Sequence, residues 1–147
     1  MATTSGDTLS ADASRLRLAV ARTARRLRQE AGTGLTATQT AALATIERHG
    51  PIGPSRLAEL ERIKRPTATR VATVLEDAGL IERAPDPNDG RACLLSATTR
   101  GRKHLTRLRT RKNAYLARRL RDLDESDRAA LRRATDVLER MLEEERP

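Results

Sequence analysis

The stretch from Arg65 to Arg91 reads RPTATRVATVLEDAGLIERAPDPNDGR, and its punctuation decides the fold. Arg65 to about Ala78 reads as a helix; Pro66 fits because it falls in the first turn, where a missing N–H removes no intrahelical bond. Gly79 is the expected stop, since glycine takes the left-handed conformation that ends helices. Leu80-Ile81-Glu82-Arg83 follows as a short strand. Pro85-Asp86-Pro87-Asn88-Asp89-Gly90 is a dense turn signal, with Asp89-Gly90 the expected hairpin pair. Ala92-Cys93-Leu94-Leu95 reads as the returning strand.

Working outward, two more helices precede this unit. Thr36 with Gln39 three residues on forms a capping box, opening a helix that turns Leu43 and Ile46 inward and stops at His49-Gly50-Pro51. Gly53-Pro54 restarts the chain with Pro at the first helical position, and a short helix carries Leu57, Ala58 and Leu60 to a turn around Ile63-Lys64. Three helices and a β-hairpin in this order make a winged helix-turn-helix over residues 35–100. Thr98 can cap a long linking helix over 100–122, with Leu105, Leu108, Tyr115, Leu116 and Leu120 as its apolar positions. Asp124 with Asp127 marks a last helix bearing Leu131, Ala134, Leu138, Met141 and Leu142. Before the unit, residues 10–30 set Leu16, Val20 and Leu27 with Ala13 and Ala24 on one face, ending at Gly32 and Gly34. Residues 1–9 are small and polar and read as a flexible tail. The fold class is mainly α with a small β-hairpin wing. The segments 10–34 and 123–147 have apolar stripes without a role inside the winged helix, so they are expected to be dimerisation helices.

The net charge is +9 and points to a polyanionic partner. Of the 29 basic residues only Lys64, Lys103 and Lys112 are lysine, leaving 26 arginines, a bias that GC-rich coding explains equally well. Tyr115 is the one aromatic residue, which disfavours RNA modules that stack bases on rings. A basic architectural DNA- or RNA-binding protein without sequence choice is the alternative reading. A recognition helix offers short polar and basic side chains to the major groove. The third helix supplies Lys64, Arg65, Thr67, Thr69, Arg70 and Thr73. The wing supplies Asp89, Gly90 and Arg91, whose guanidinium suits a narrow minor groove; turn geometry alone accounts for Gly90. Residues 100–121 hold ten basic side chains and no acid, and the first few could follow phosphates.

Catalysis has little support. His49 and His104 stand 55 positions apart without spaced ligands, so no metal site is expected, and no phosphate loop or nucleophile elbow occurs. No cofactor is expected. Cys93, a lone cysteine between Ala92 and Leu94, reads as a small buried strand residue rather than a redox sensor. No apolar run is long enough to span a bilayer and no signal-peptide pattern opens the chain, so the expected location is the cytoplasm.

Several spaced motifs in order resemble the multiple-antibiotic-resistance (MarR) family: Leu57-Ala58-Glu59, Arg65–Arg70, Leu75–Arg83, Asp86–Arg91 and Thr98-Thr99-Arg100-Gly101. The resemblance covers residues 35–105, and the helical flanks by pattern only. It implies one domain over 10–147 that dimerises through interdigitated terminal helices and binds a pseudo-palindromic DNA operator, usually as a repressor released by a small-molecule effector. It further implies that Arg70 contacts bases or phosphates, that Arg91 is the wing-tip arginine and that Asp89 braces the wing. Two departures stand out. Ala97 replaces the usual Leu, which would loosen the strand-to-helix junction. Leu60-Glu61 replaces a polar-then-Leu order in the second helix.

Overall fold

A computed structural model describes residues 4–32 and 34–143. Among these described residues eight elements follow in order: α1 (Thr4–Ala31), α2 (Ala37–His49), α3 (Pro54–Glu61), α4 (Arg65–Asp77), β1 (Ile81–Asp86), β2 (Asp89–Ala97), α5 (Thr99–Arg121) and α6 (Glu125–Glu143). They fall into two compact units, one ending at Lys112 and one beginning at Asn113.

In the first unit, local chemistry sets the helix ends. Thr36 Oγ1 accepts from Gln39 N (3.2 Å) while Gln39 Oε1 accepts from Thr36 N (2.9 Å), so both halves of the α2 capping box are made. Pro54 opens α3 behind Gly53. At the end of α4, Gly79 N donates to Glu76 O (2.8 Å) and Leu80 N to Leu75 O (2.9 Å), with Gly79 at φ +71°. These are the two bonds of a Schellman motif, and the buried Leu75 and Leu80 are its usual apolar pair.

The core lies where α2, α3, α4 and the hairpin base converge. Leu43, Ile46, Leu57, Leu75 and Leu95 are fully buried, joined by Ala68, Val71, Ala72, Ile81 and Leu105. Ile52 pairs with Leu95 through Ile52 N→Leu95 O (3.1 Å) and Leu95 N→Ile52 O (2.8 Å), adding a one-residue third partner to the hairpin. Thr45 donates a short hydrogen bond to Glu61 across α2 and α3, so the Glu of the reordered Leu60-Glu61 pair has a defined partner while Leu60 packs on the core.

Three expectations are corrected. The tail expected over residues 1–9 is helical from Thr4, with residues 1–3 outside the described residues. Asp7 in the first turn complements the helix dipole, and Leu9 extends the Leu16 and Val20 stripe by one more pair of turns. The hairpin turns at Pro87-Asn88, not at Asp89-Gly90. Proline presets φ for the second turn position, and Asn88 N donates to Asp86 Oδ1 (2.9 Å), closing an Asx turn one step earlier. Gly90 therefore sits on β2 outside the positive-φ region, and turn geometry does not account for it. The junction at Ala97 is also well tied rather than loosened. Ala97 is buried, Arg102 Nη1 donates to Ala97 O (2.6 Å), and Thr98 Oγ1 donates to Gly79 O (2.7 Å) while accepting from Gly101 N (3.0 Å).

The second unit pairs the end of α5 with α6. Asp124 caps α6 by accepting from Asp127 N (2.8 Å), as its spacing predicts. Glu125 bridges Arg128 and Arg132. No described residue of α6 is buried.

Candidate nucleic-acid interface

Helix α4 buries one stripe, Ala68, Val71, Ala72 and Leu75, at three- and four-residue spacings. The helical repeat then turns Thr69, Arg70 and Thr73 outward, flanked by Pro66 and Asp77. Lys64 and Arg65 are exposed at the N-terminal end, and Thr67 is half-buried. No side chain among the described residues caps this end of the helix. Among the described residues, the charged groups of Lys64, Arg65 and Arg70 have no hydrogen-bond or ion-pair partner, so they stand free toward solvent.

The loop that aims α4 turns at Arg62, which takes the left-handed conformation (φ 52°, ψ 42°). Arg62 N donates to Glu59 O (3.2 Å) and Ile63 N to Ala58 O (3.0 Å), closing the end of α3. A non-glycine residue held there stores of order 1 kcal/mol of strain, which the closed turn sustains.

In the wing, Pro85 pairs with Cys93 but Asp86 pairs with Asp89, so Gly90, Arg91 and Ala92 have no partner on β1. Two prolines without N–H groups leave this end of the ladder thinly bonded. Asp89 Oδ1 accepts from the backbone N–H of Arg91 (3.0 Å), so the acid holds main chain rather than the guanidinium. Arg91 is exposed and has no side-chain partner among the described residues. It lies on β2 beyond the turn rather than at the tip.

One residue that sequence reasoning left without a role joins these elements. Arg83, on β1, donates from Nε to Glu76 Oε2 (2.7 Å), from Nη2 to Thr73 Oγ1 (3.2 Å) and from Nη1 to Cys93 Sγ (3.8 Å). Burial opposes its charge, but the Glu76 carboxylate and Cys93 outweigh that and make the guanidinium more basic than usual. A signal was present: Arg83 has the strand parity of buried Ile81, and an inward-facing arginine requires an acid within reach. Cys93 is half-buried rather than buried, with the Arg83 guanidinium against its sulfur.

At the base of the hairpin, Arg100, Arg102, Lys103 and Arg107 line an open depression with Thr99 and Thr106. On the buried side of the same helix, burial first, then Arg107, Arg100 and Arg111, push the His104 imidazole below its usual range. The structure thus gathers Thr69, Arg70 and Thr73 on one face, ties Thr73 to the wing, and leaves Asp89, Gly90 and Arg91 together on β2. Such an arrangement can present a basic helix and a basic ribbon to a duplex.

Comparison with known proteins agrees with this geometry. The family model described as MarR family matches residues 35–93. An uncharacterised HTH-type transcriptional regulator of Mycobacterium bovis is 38% identical over 133 residues, covering 90% of this chain and 93% of that protein. The HTH-type transcriptional repressor MdtR of Bacillus subtilis is 32% identical over 94 residues, covering 64% and 61%. The crystal structure of a putative transcriptional regulator from Pseudomonas aeruginosa superposes with a TM-score of 0.82 at 33% identity, covering 95% of this chain and 97% of that one.

Proposed function

The chain belongs to the MarR family of DNA-binding transcription regulators, and from that premise we propose that it acts as a homodimer on a pseudo-palindromic operator, represses transcription there and releases DNA when a small-molecule effector binds. The observation that carries sequence-specific reading is the outward face of α4. Its unpaired Arg70 and its two threonines stand beside a wing with unpaired Arg91. Arginine grips guanine O6 and N7 in the major groove, and a threonine methyl meets that of thymine. Arg91 serves the minor groove, with Asp89 fixing the strand that carries it. Lys64, Arg65 and Thr67 meet phosphates at the helix entrance.

Dimerisation is supported by what one chain leaves uncovered. On α1, Leu9, Leu16 and Val20 are 69%, 45% and 49% exposed, and on α6 Leu131, Met141 and Leu142 are 46%, 52% and 67% exposed. Apolar stripes of this kind are buried economically by a second copy in a closed twofold pair, which also matches two half-sites. Effector response is supported by a depression of about 360 Å³ lined by Leu27, Leu35 and several alanines, with Arg28 and Lys112 at its edge. Its size suits a small molecule with an apolar body and an acidic group. Repression follows the Bacillus subtilis relative, a repressor. No helix among the described residues is long and apolar enough to cross a membrane, and the cytoplasm is where such a protein meets DNA. An enzymatic role has no support in the family or the site.

The net charge of +9 favours one second reading, an architectural protein that binds any duplex. Competition separates the two. A complex with DNA from upstream of the chain's own gene is challenged with excess random-sequence duplex at fixed salt. A regulator retains its own site and gives a bounded footprint; equal displacement by random duplex and by cold specific duplex would refute the operator reading.

A further inference from the structure

We propose that Arg83 is a positioning residue for DNA reading, setting the Thr73 side chain and the seat of the wing on α4 together. This role rests on the operator reading above. Arg83 stands on β1, Thr73 and Glu76 on α4, and Cys93 on β2, so one guanidinium spans three elements. Only 26% of its side chain is exposed, and each of its three nitrogens has a protein partner. It is thus poorly placed to leave for a phosphate. The planar fork is what makes this possible, because its donors diverge at fixed angles. A lysine at the same place reaches Glu76 with a single ammonium and leaves Thr73 and Cys93 unserved.

The consequence for reading lies in Thr73. Its hydroxyl donates to Thr69 O (3.0 Å) and accepts from Arg83 Nη2 (3.2 Å), so both its donor and one acceptor site are used inside the protein. With Oγ1 held at both ends, χ1 is fixed and the methyl points in one direction. Thr73 therefore contributes apolar contact rather than a hydrogen bond to a base edge. The same guanidinium reaches Cys93, which pairs with Pro85 at the last regular step before the ladder opens around Gly90, Arg91 and Ala92. The wing arm is anchored where it leaves the sheet, and Arg91 swings from that anchor.

Two readouts test this on the full chain. Hydrogen exchange of the free protein, wild type against Arg83→Lys, should show hairpin amides of residues 81–97 exchanging about tenfold faster while those of α2 are unchanged. Operator affinity should fall about tenfold for Arg83→Lys in the wild-type background but only about threefold in Arg91→Ala, because a wing that has lost its arginine gains nothing from being anchored while the loss through Thr73 remains. The salt slope should be unchanged, since a direct phosphate contact removed would lower it by about one. Unchanged hairpin exchange, equal losses in both backgrounds, or a lowered slope overturns the role of Arg83 while leaving operator preference intact. Loss of operator preference in the wild type itself removes the operator reading, and this role with it.

Discussion

Replacing Gly101 by alanine adds one methyl where α5 begins, at a place with no room for it. A Cβ there would lie 2.1 Å from Leu80 O, 3.0 Å from Leu80 C and 3.3 Å from Leu43 Cδ1. The first two are main-chain atoms, so no rotamer change relieves the clash. Leu80 O also accepts the bond from Thr98 N (3.0 Å), and Thr98 Oγ1 ties Gly79 O to the first turn of α5. Forcing the helix off Leu80 costs about 1–3 kcal/mol in overpacking. Strain on the Thr98 cap and on the Leu80 acceptor adds roughly 1 kcal/mol each. Alanine's better helix propensity returns up to about 1 kcal/mol. The net is a loss of about 2–4 kcal/mol, which for a chain of this size lowers Tm by roughly 6–12 °C. Circular dichroism at 222 nm on heating, at one protein concentration because the proposed dimerisation would couple to stability, reads the shift. Gly90→Ala is the internal control: nothing lies within 4 Å of its Cβ and its φ is not positive, so Tm should hardly move. A Gly101→Ala protein melting within about 2 °C of wild type would refute the reasoning, since overpacking against backbone cannot be that cheap.

Three further outcomes follow from the same geometry. His104 has a folded-state pKa below its ordinary 6.5, so its neutral form is favoured by folding; its contribution is present above that value and is lost as pH falls through the depressed pKa. Stability should therefore decline below about pH 6.5, less so in His104→Gln, and a ring-proton NMR titration at or above the ordinary pKa would contradict this. Arg91→Ala should weaken operator binding most where the flanking DNA is A·T-rich, and equal penalties on changing flanks to G·C in both proteins would mean that Arg91 does not read the minor groove. Deleting residues 126–147 removes nearly all of α6 and should leave a monomeric or aggregating chain of little DNA affinity; sedimentation as a soluble, operator-binding dimer would remove the dimerisation role of α6.

What the sequence makes legible is the chemistry that acts within a few residues. The Thr36–Gln39 box, the Gly79 stop and the Asp124 cap each bind partners about one turn away, and Pro54 needs none at a helix start, so local sequence identifies them. The position of the hairpin turn is less legible, because two turn signals compete within the same few residues. Pro87 with the Asp86 Asx bond outweighs the Asp89-Gly90 pair, and only the register of β1 on β2 reveals it. Arg62 gives no warning of its left-handed turn, since residue type does not favour that conformation and the bonds that close it, Arg62 N to Glu59 O and Ile63 N to Ala58 O, are visible only in the fold. The Ile52–Leu95 bridge joins positions 43 residues apart and has no local trace.

The candidate site divides in the same way. The outward face of α4 is readable from helical periodicity, which separates Ala68, Val71, Ala72 and Leu75 from Thr69, Arg70 and Thr73. The grip of Arg83 on Thr73, Glu76 and Cys93 joins β1 to two other elements and needs the fold. Asp89 was expected to brace the wing, and the bond it makes, to the Arg91 main chain, follows from their two-residue spacing only once β2 is known to begin at Asp89.

Selection of bound DNA from a fully random duplex library by the full chain, at fixed physiological salt, tests sequence-specific reading by a twofold pair most directly. The account predicts enrichment of one inverted repeat whose half-site centres lie about one helical turn apart, bound at least about a thousandfold more tightly than the unselected pool. A pool that remains random after repeated rounds, while still binding tightly with a steep salt dependence, would contradict it.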